Sequence, residues 1–333
     1  MKKTLFLLIS VFVLLTAFMP QKVTTIFIIG DSTAANKDIT GGKQERGWGM
    51  MLQRCFDENF VVVDNHAVNG RSSKSFINEG RWDKVLEKMK PGDYVIIQFG
   101  HNDEKPQADR HTDPGSTFDA NLRRFVEETR ARGGHPILMN SVVRRNFQQV
   151  VPQNDDDEKL RETVYTGKKA EEGSVLVDTH GDYIIAPRNV AVATATPFVD
   201  ANKVTHDLEQ SLGPEESKRL HMWFKPGENP SLPKGREDNT HYCVYGAHVV
   251  AGLLVDEIGK VAPSLKKYIR HYDYIVAADG KGNYMDLQQA VDDVPMGKKT
   301  VVRILNGEWQ YPSIPKGKRI KFSVSEHAKL KKR

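Results

Sequence analysis

The chain has 333 residues, 39% of them hydrophobic and 27% charged, with a formal net charge of +5, which fits an ordinary soluble globular protein of one or two domains. The positive charge is a property of the tail: from residue 261 onward there are 15 Lys and Arg against 7 Asp and Glu, and everything before is slightly acidic. The basic balance therefore gives no reason to expect a nucleic-acid partner.

The chain opens MKKTLFLLISVFVLLTAFMPQ, two lysines and then an apolar run from Leu5 to Met19 broken only by Ser10 and Thr16. This predicts a secretory signal over residues 1–20, because a spanning helix needs about 20 apolar residues and the run is shorter. A periplasmic or secreted protein is expected. Ala17 suits a cleavage site and Met19 fits it poorly, so retention as a membrane-anchored form is the alternative. No cysteine adjoins the segment, which argues against a lipoprotein. Cys55 and Cys243, the only two cysteines, are expected as separate buried thiols rather than a disulfide.

Apolar runs that read as buried parallel strands then alternate with helical patterns. VTTIFIIG (23–30) predicts the first strand, with a helix from about Trp48 to Asp57. FVVVDNHA (60–67) predicts the second, followed by helical RWDKVLEKMK (81–90). DYVIIQFG (93–100) predicts the third, followed by a helix from Phe118 to Arg132. HPILMNSV (135–142) predicts the fourth and TPFVDAN (196–202) a fifth, bordered by helices near 183–194 and 202–211. A short helix is expected over 213–224 and a strongly apolar one over 244–261. Repeated strand–helix units imply an α/β fold whose parallel sheet is covered on both faces. Around Ile275 the character changes to short β-like runs and glycine turns, placing a boundary between about 262 and 272.

Sites in such a sheet form outside the carboxyl ends of the strands. After the first strand come Gly30, Asp31 and Ser32; after the second, NHAVNGRSS with Gly70 and Arg71; after the third, GHND with Asn102. Before the last helix comes EDNTHYCVYGA, with Asp238 and His241 three residues apart. Serine is a poor nucleophile until a base removes its proton, and a histidine oriented by a carboxylate is suited to that task. Ser32, Gly70 and Asn102 offer N–H donors for a developing oxyanion. Each piece has an ordinary local reading: Gly-Asp-Ser is good turn chemistry, Gly70 can open a capping loop, Asn102 can form an Asx-turn and Asp238 can cap a helix. Their occurrence together, in order, at the strand ends of one chain favours catalysis.

GDS, NxAxxGRSS, GxND and a C-terminal DxxH are the blocks of the SGNH (GDSL) hydrolases, which this sequence resembles over residues 23–262. The stretches GRSSKSFINEGRW (70–82), GDYVIIQFGHND (92–103), PILMNSVVRR (136–145), VDTHGDY (177–183) and DNTHYCVYGA (238–247) are similar to rhamnogalacturonan acetylesterases. The resemblance implies a three-layer α/β/α flavodoxin-like sheet, with Ser32 as nucleophile, Asp238 and His241 as the acid–base pair, and Ser32, Gly70 and Asn102 as the oxyanion hole. It implies a serine esterase without metal or organic cofactor, acting on an acetylated pectic polysaccharide, with no stable protein partner. Another carbohydrate acetylesterase specificity, such as xylan, a truncated pectin methylesterase fusion and a noncatalytic pectin-binding protein are the alternatives. Arg71, Arg144 and Arg145 could contact uronate carboxylates through bidentate pairing, although solvated or structural arginines are the safer reading. Trp48, Trp82 and Trp223 could stack on sugars or simply pack.

The tail, 272–333, has its own resemblance. IVAADGKGNYMDLQQAVDDVP, VVRILNGEWQ and IPKGKRIKF are similar to the opening of pectin methylesterases, which implies the first coils of a right-handed parallel β-helix. That family's catalytic residues lie later than these blocks, so no second active site is carried over and the tail is expected to be dispensable for chemistry.

Overall fold

The computed structural model describes residues 23–148 and 175–332; the signal expected over residues 1–20 lies outside them. Strands β1 (Thr24–Gly30), β2 (Val61–Asn65), β3 (Tyr94–Gln98), β4 (His135–Met139) and β5 (Phe198–Val199) form a five-stranded sheet in the order β2-β1-β3-β4-β5. Every pairing is parallel. This is the parallel α/β sheet expected from the alternating strands and helices.

Alternation along the strands divides the core. Ile26, Ile28, Ile96, Ile137 and Met139 join one buried cluster, and Phe27, Ile29, Val95, Ile97 and Leu138 join the other. The first face is covered by α1 (Trp48–Met51) and α7 (Val244–Val261), whose Ala247, Val250, Ala251, Leu254 and Ile258 pack into it. The second is covered by α3 (Arg81–Lys88), α4 (Thr117–Ala131) and α5 (Ala186–Ala193), through Trp82, Val85, Phe118, Phe125 and Val190. Continuous apolar strands are thus explained by burial on both sides.

Most elements fall where expected, and the exceptions have local causes. The helix expected from Trp48 to Asp57 tightens at Leu52 into a 3-10 turn ending at Cys55. The fifth strand keeps only two residues because Asp200 already caps α6 (Ala201–Glu216), accepting from the Lys203 N–H at 3.2 Å. No separate helix spans 213–224. Gly213, at φ 73°, kinks the end of α6, a 3-10 turn follows over Ser217–Leu220, and His221 is extended. Helix α2 (Ser73–Asn78) is too short to announce itself by periodicity; a capping box between Ser72 and Ser75 starts it.

The first domain continues past Ala262. Leu265 is 2% exposed, and Tyr268 and Ile269 pack on the α7 side of the core. Tyr268 stacks on Phe60 with ring centroids 4.6 Å apart. The Asp57 N–H donates to the Tyr268 carbonyl and the Arg270 N–H to the Cys55 carbonyl, both at 2.9 Å. Residues 263–270 therefore contact the first core. Beyond them, β6 (Tyr274–Ala277), β7 (Lys299–Gln310), β8 (Arg319–Val324) and β9 (Ala328–Lys331) pair in parallel, with β7 holding the other three. They share a small core with α8 (Leu287–Asp293), built on Val276, Leu287, Val291, Val302 and Ile304. Arg303 pairs with Glu58 across the junction, and buried Arg46 donates to the Gly280 carbonyl at 3.1 Å.

A chain ending at Asp273 should keep the melting behaviour of the first domain. One ending at Ala262 should lose several kcal/mol, because Leu265, Tyr268 and Ile269 leave the core and each large apolar side chain contributes about 1.5–3 kcal/mol. Urea unfolding of the two truncated chains checks this; equal stability would place the boundary at 262.

Candidate active site

Strand β1 delivers the chain to a turn that its own side chains build. Asp31 is fully buried and accepts from the Thr33 N–H at 2.9 Å and the Thr33 hydroxyl at 2.8 Å. Burial pushes its carboxyl up in spite of these bonds, so Asp31 holds the turn rather than reaching the surface. Glycine is required at Gly47, where a Cβ would stand 2.3 Å from the Ala35 carbonyl oxygen, so the segment after the serine is clamped against the start of α1. Asn65, at the end of β2, adds a bond from its amide to the Ala34 carbonyl at 2.8 Å. Ser32 is left half-buried between Asp31 and Thr33, both buried. Turn chemistry and display of a hydroxyl are the same feature here.

His241 meets that hydroxyl: its Nε2 lies 3.0 Å from Ser32 Oγ. On the other side of the ring, Nδ1 donates to Asp238 Oδ2 at 2.9 Å, leaving Nε2 to accept the serine proton. Asp238 Oδ1 accepts the backbone N–H groups of Thr240 and His241 at 2.8 and 2.9 Å. Burial would raise the Asp238 carboxyl, but the imidazole and these two N–H groups outweigh it and hold it well below the usual carboxylate range. Tyr242 and Cys243 pair antiparallel with Arg46 and Glu45 directly after the histidine, and α7 begins at Val244.

The loops that carry the two further candidate donors meet each other. Gly70 has φ +75°, a left-handed conformation that favours glycine. Asn102 is 2% exposed, and its Nδ2 donates to the Arg71 carbonyl at 3.2 Å. Asp103 fixes both loops from behind, accepting from the Ser73 N–H at 3.0 Å, the Ser73 hydroxyl at 2.5 Å and the Thr112 hydroxyl at 2.9 Å. Burial outweighs these bonds and pushes the Asp103 carboxyl up to about 7. Ser32, His241 and Asp238 are thus in mutual hydrogen-bond contact, and the Asn102 amide meets the loop that carries Gly70 through the Arg71 carbonyl. Asn102→Ala should reduce turnover about 100- to 1000-fold while leaving measurable activity, since it removes one oxyanion donor and not the nucleophile. An unchanged kcat on an acetyl ester would take Asn102 out of that role.

The arginines divide differently. Arg71 is partly exposed and pairs with Glu79 at 3.1 Å. Arg144 and Arg145 are 2% and 1% exposed, which corrects the expectation that they reach substrate carboxylates. Arg144 pairs with Glu104 and donates to the Thr179 hydroxyl; Arg145 donates to Ser217 Oγ and Asn239 Oδ1. Trp48 and Trp82 are fully buried core residues. Trp223 instead lines a groove of about 740 Å³ with Phe224, Lys225, Lys234 and Arg236, and its N–H donates to Asn239 Oδ1, next to Asp238, at 2.8 Å. His101 is buried edge-on to His180, ring centroids 4.5 Å apart. Cys55 and Cys243 are both free and buried. Among the described residues no group of three or more His, Cys, Asp or Glu is arranged to hold a metal ion. Residues that the motifs did not flag are Lys37, Glu45 and Arg236, which form a chain of ion pairs ending on Asp238.

Residues 28–222 match the GDSL-like lipase/acylhydrolase family. Rhamnogalacturonan acetylesterase RhgT of Bacillus subtilis is 36% identical over 263 residues, covering 79% of this chain and 99% of that protein. The probable rhamnogalacturonan acetylesterase YesY of the same organism is 27% identical over 248 residues, covering 73% and 96%. The crystal structure of B. subtilis YxiM shares the fold, with 24% identity, a TM-score of 0.55, and coverage of 73% of this chain and 58% of that one. The sheet order, the serine turn and the family match converge: the chain belongs to the GDSL-like lipase/acylhydrolase (SGNH hydrolase) family.

Proposed function

We propose that this protein is an exported serine esterase that removes acetyl groups from rhamnogalacturonan in pectin. The observation that carries the reading is the line Ser32–His241–Asp238, with contacts of 3.0 and 2.9 Å. In the first half-reaction His241 Nε2 takes the Ser32 proton while Oγ attacks the acetyl carbonyl carbon. The carbonyl oxygen becomes an oxyanion facing the Ser32 and Gly70 N–H groups and the Asn102 amide. Collapse breaks the bond to the sugar oxygen, which leaves with the proton held by His241. Water, deprotonated by the same imidazole, then attacks the acetyl-serine and releases acetate. Asp238 remains ionised throughout, since its carboxyl is held low.

The polysaccharide specificity is supported by similarity to RhgT over nearly its whole length and by the groove beside Asp238, which offers aromatic surface at Trp223 and Phe224 and ammonium groups at Lys225 and Lys234. An acetyl ester puts the small group on the acyl side and leaves the sugar in the open groove; a uronate methyl ester would need the sugar in the acyl pocket. Export rests on the apolar run after Lys2 and Lys3. The tail is read as the opening coils of a parallel β-helix, supported by its parallel strand pairing, and contributes none of the catalytic side chains. Acetate and methanol release measured in parallel from acetylated rhamnogalacturonan and methyl-esterified homogalacturonan tests the specificity. Acetate without methanol is expected; Ser32-dependent methanol release would overturn the acyl-pocket assignment.

A further inference from the structure

A line of alternating charge runs around the site. Lys37 Nζ donates to Asn69 Oδ1 at 2.6 Å and pairs with Glu45 Oε1 at 2.7 Å. Glu45 Oε2 pairs with Arg236 Nη1 at 2.7 Å, and Arg236 Nη2 with Asp238 Oδ2 at 2.6 Å. One end is therefore the residue before the oxyanion glycine, Gly70, and the other is the catalytic carboxylate. We propose that Lys37, Glu45 and Arg236 are positioning residues for acyl transfer, a charged brace that fixes the catalytic carboxylate relative to the oxyanion loop and tunes the imidazole by charge. The proposal rests on the acyl-transfer reading above and not on the identity of the polysaccharide.

Three observations separate this brace from an ordinary surface ion pair, which contributes about 0–1 kcal/mol. First, the groups are sheltered: side-chain exposures are 5% for Lys37, 20% for Glu45, 31% for Arg236 and 16% for Asp238. Second, Asp238 Oδ2 receives both Arg236 Nη2 and His241 Nδ1, so the guanidinium helps to determine where that oxygen sits and how strongly it accepts from the ring. Third, Glu45 is carried by a backbone ribbon hydrogen-bonded to the residues that follow His241, Glu45 opposite Cys243 and Arg46 opposite Tyr242. Backbone and side chain thus hold the same loop. Burial disfavours the ionised Glu45 carboxyl, but Lys37, the imidazole and Arg236 together outweigh it and lower its titration, so it is a standing negative charge.

The charges facing the imidazole are Asp238 and Arg236 from its own loop, Glu45 from the ribbon with Lys37 behind it, and His101 from the end of β3. Glu45 favours the protonated ring and Arg236 opposes it. Since the ring must be neutral to accept the serine proton, deleting the two charges should move the acid limb of the rate profile in opposite directions. A merely structural pair predicts no such pattern.

The test uses the full chain with 4-nitrophenyl acetate. Arg236→Gln should lower kcat about tenfold, the scale of a small misplacement of a catalytic group, with KM little changed and the acid limb moved to higher pH. Glu45→Gln should move the limb to lower pH, the double variant should return it close to the original position, and Arg236→Lys should keep most of kcat. Thermal melts establish that each variant is folded. Unchanged kcat in both single variants, limbs that move the same way, or a loss confined to KM would overturn the brace. Ser32→Ala is run alongside: activity surviving there would remove the acyl-enzyme reading instead.

Discussion

Ser32→Ala should lower kcat for acetyl-ester hydrolysis by about 10⁶-fold, the scale found when a serine nucleophile is removed from such a triad. The oxygen lost is the one that forms the covalent bond, and His241, 3.0 Å away, has nothing else to activate there in the first half-reaction. The fold should be unaffected, because the turn is held by Asp31, Thr33 and the Gly47 clamp and not by the Ser32 side chain. Substrate binding should survive as well. Calorimetric melting and a binding isotherm for an acetylated oligosaccharide, set beside kcat, check all three; undiminished turnover in a folded variant would remove the nucleophile.

Asp238→Asn should cost about 10⁴-fold in kcat with the loop geometry kept. The reason is tautomeric. Asp238 Oδ1 can be replaced by the asparagine oxygen for the Thr240 and His241 N–H groups, but the neighbouring atom then becomes an amide N–H facing Nδ1. An amide donor there selects the ring form whose proton is on Nε2, pointing at Ser32 and unable to take its proton. Arg236 loses one carboxylate and keeps Glu45, so folding should persist. Steady-state kinetics on a small acetyl ester measure the effect, and a loss of less than tenfold would mean that Asp238 does not orient His241.

The candidate set was legible because each member sits where local chemistry and strand ends coincide. Buried strands announce themselves as apolar runs, and Ser32, Gly70 and Asn102 follow β1, β2 and β3 within a few residues. Asp238 and His241 lie three apart before an unmistakably apolar helix, so their partnership needed only one turn of chain. Lys37, Glu45 and Arg236 had no such signal. They lie in irregular segments, and the Glu45–Arg236 contact joins residues 191 apart in the chain, which no periodicity reports. Arg144 and Arg145 were open to two readings, substrate contact or structure, because sequence does not show which partners a guanidinium meets. Their burial depends on Glu104, Thr179, Ser217 and Asn239 arriving from elsewhere. The domain boundary was blurred for a related reason: Leu265, Tyr268 and Ile269 are too few and too widely spaced to read as an element, yet they pack on the core of the first domain.

The brace also gives the tail a mechanical connection to the site. Arg46 shares the ribbon with Glu45 and is held by the Gly280 carbonyl, so the tail supports the ribbon without supplying a catalytic group.

The most direct test of the account is titration of the full chain with a phosphonofluoridate, which reacts with an activated serine and cannot be turned over. One equivalent should be found by peptide mapping on Ser32, with acetate release from acetylated rhamnogalacturonan falling in proportion and no label on the Ser32→Ala variant. Acetate release that persists when Ser32 is fully labelled would contradict it.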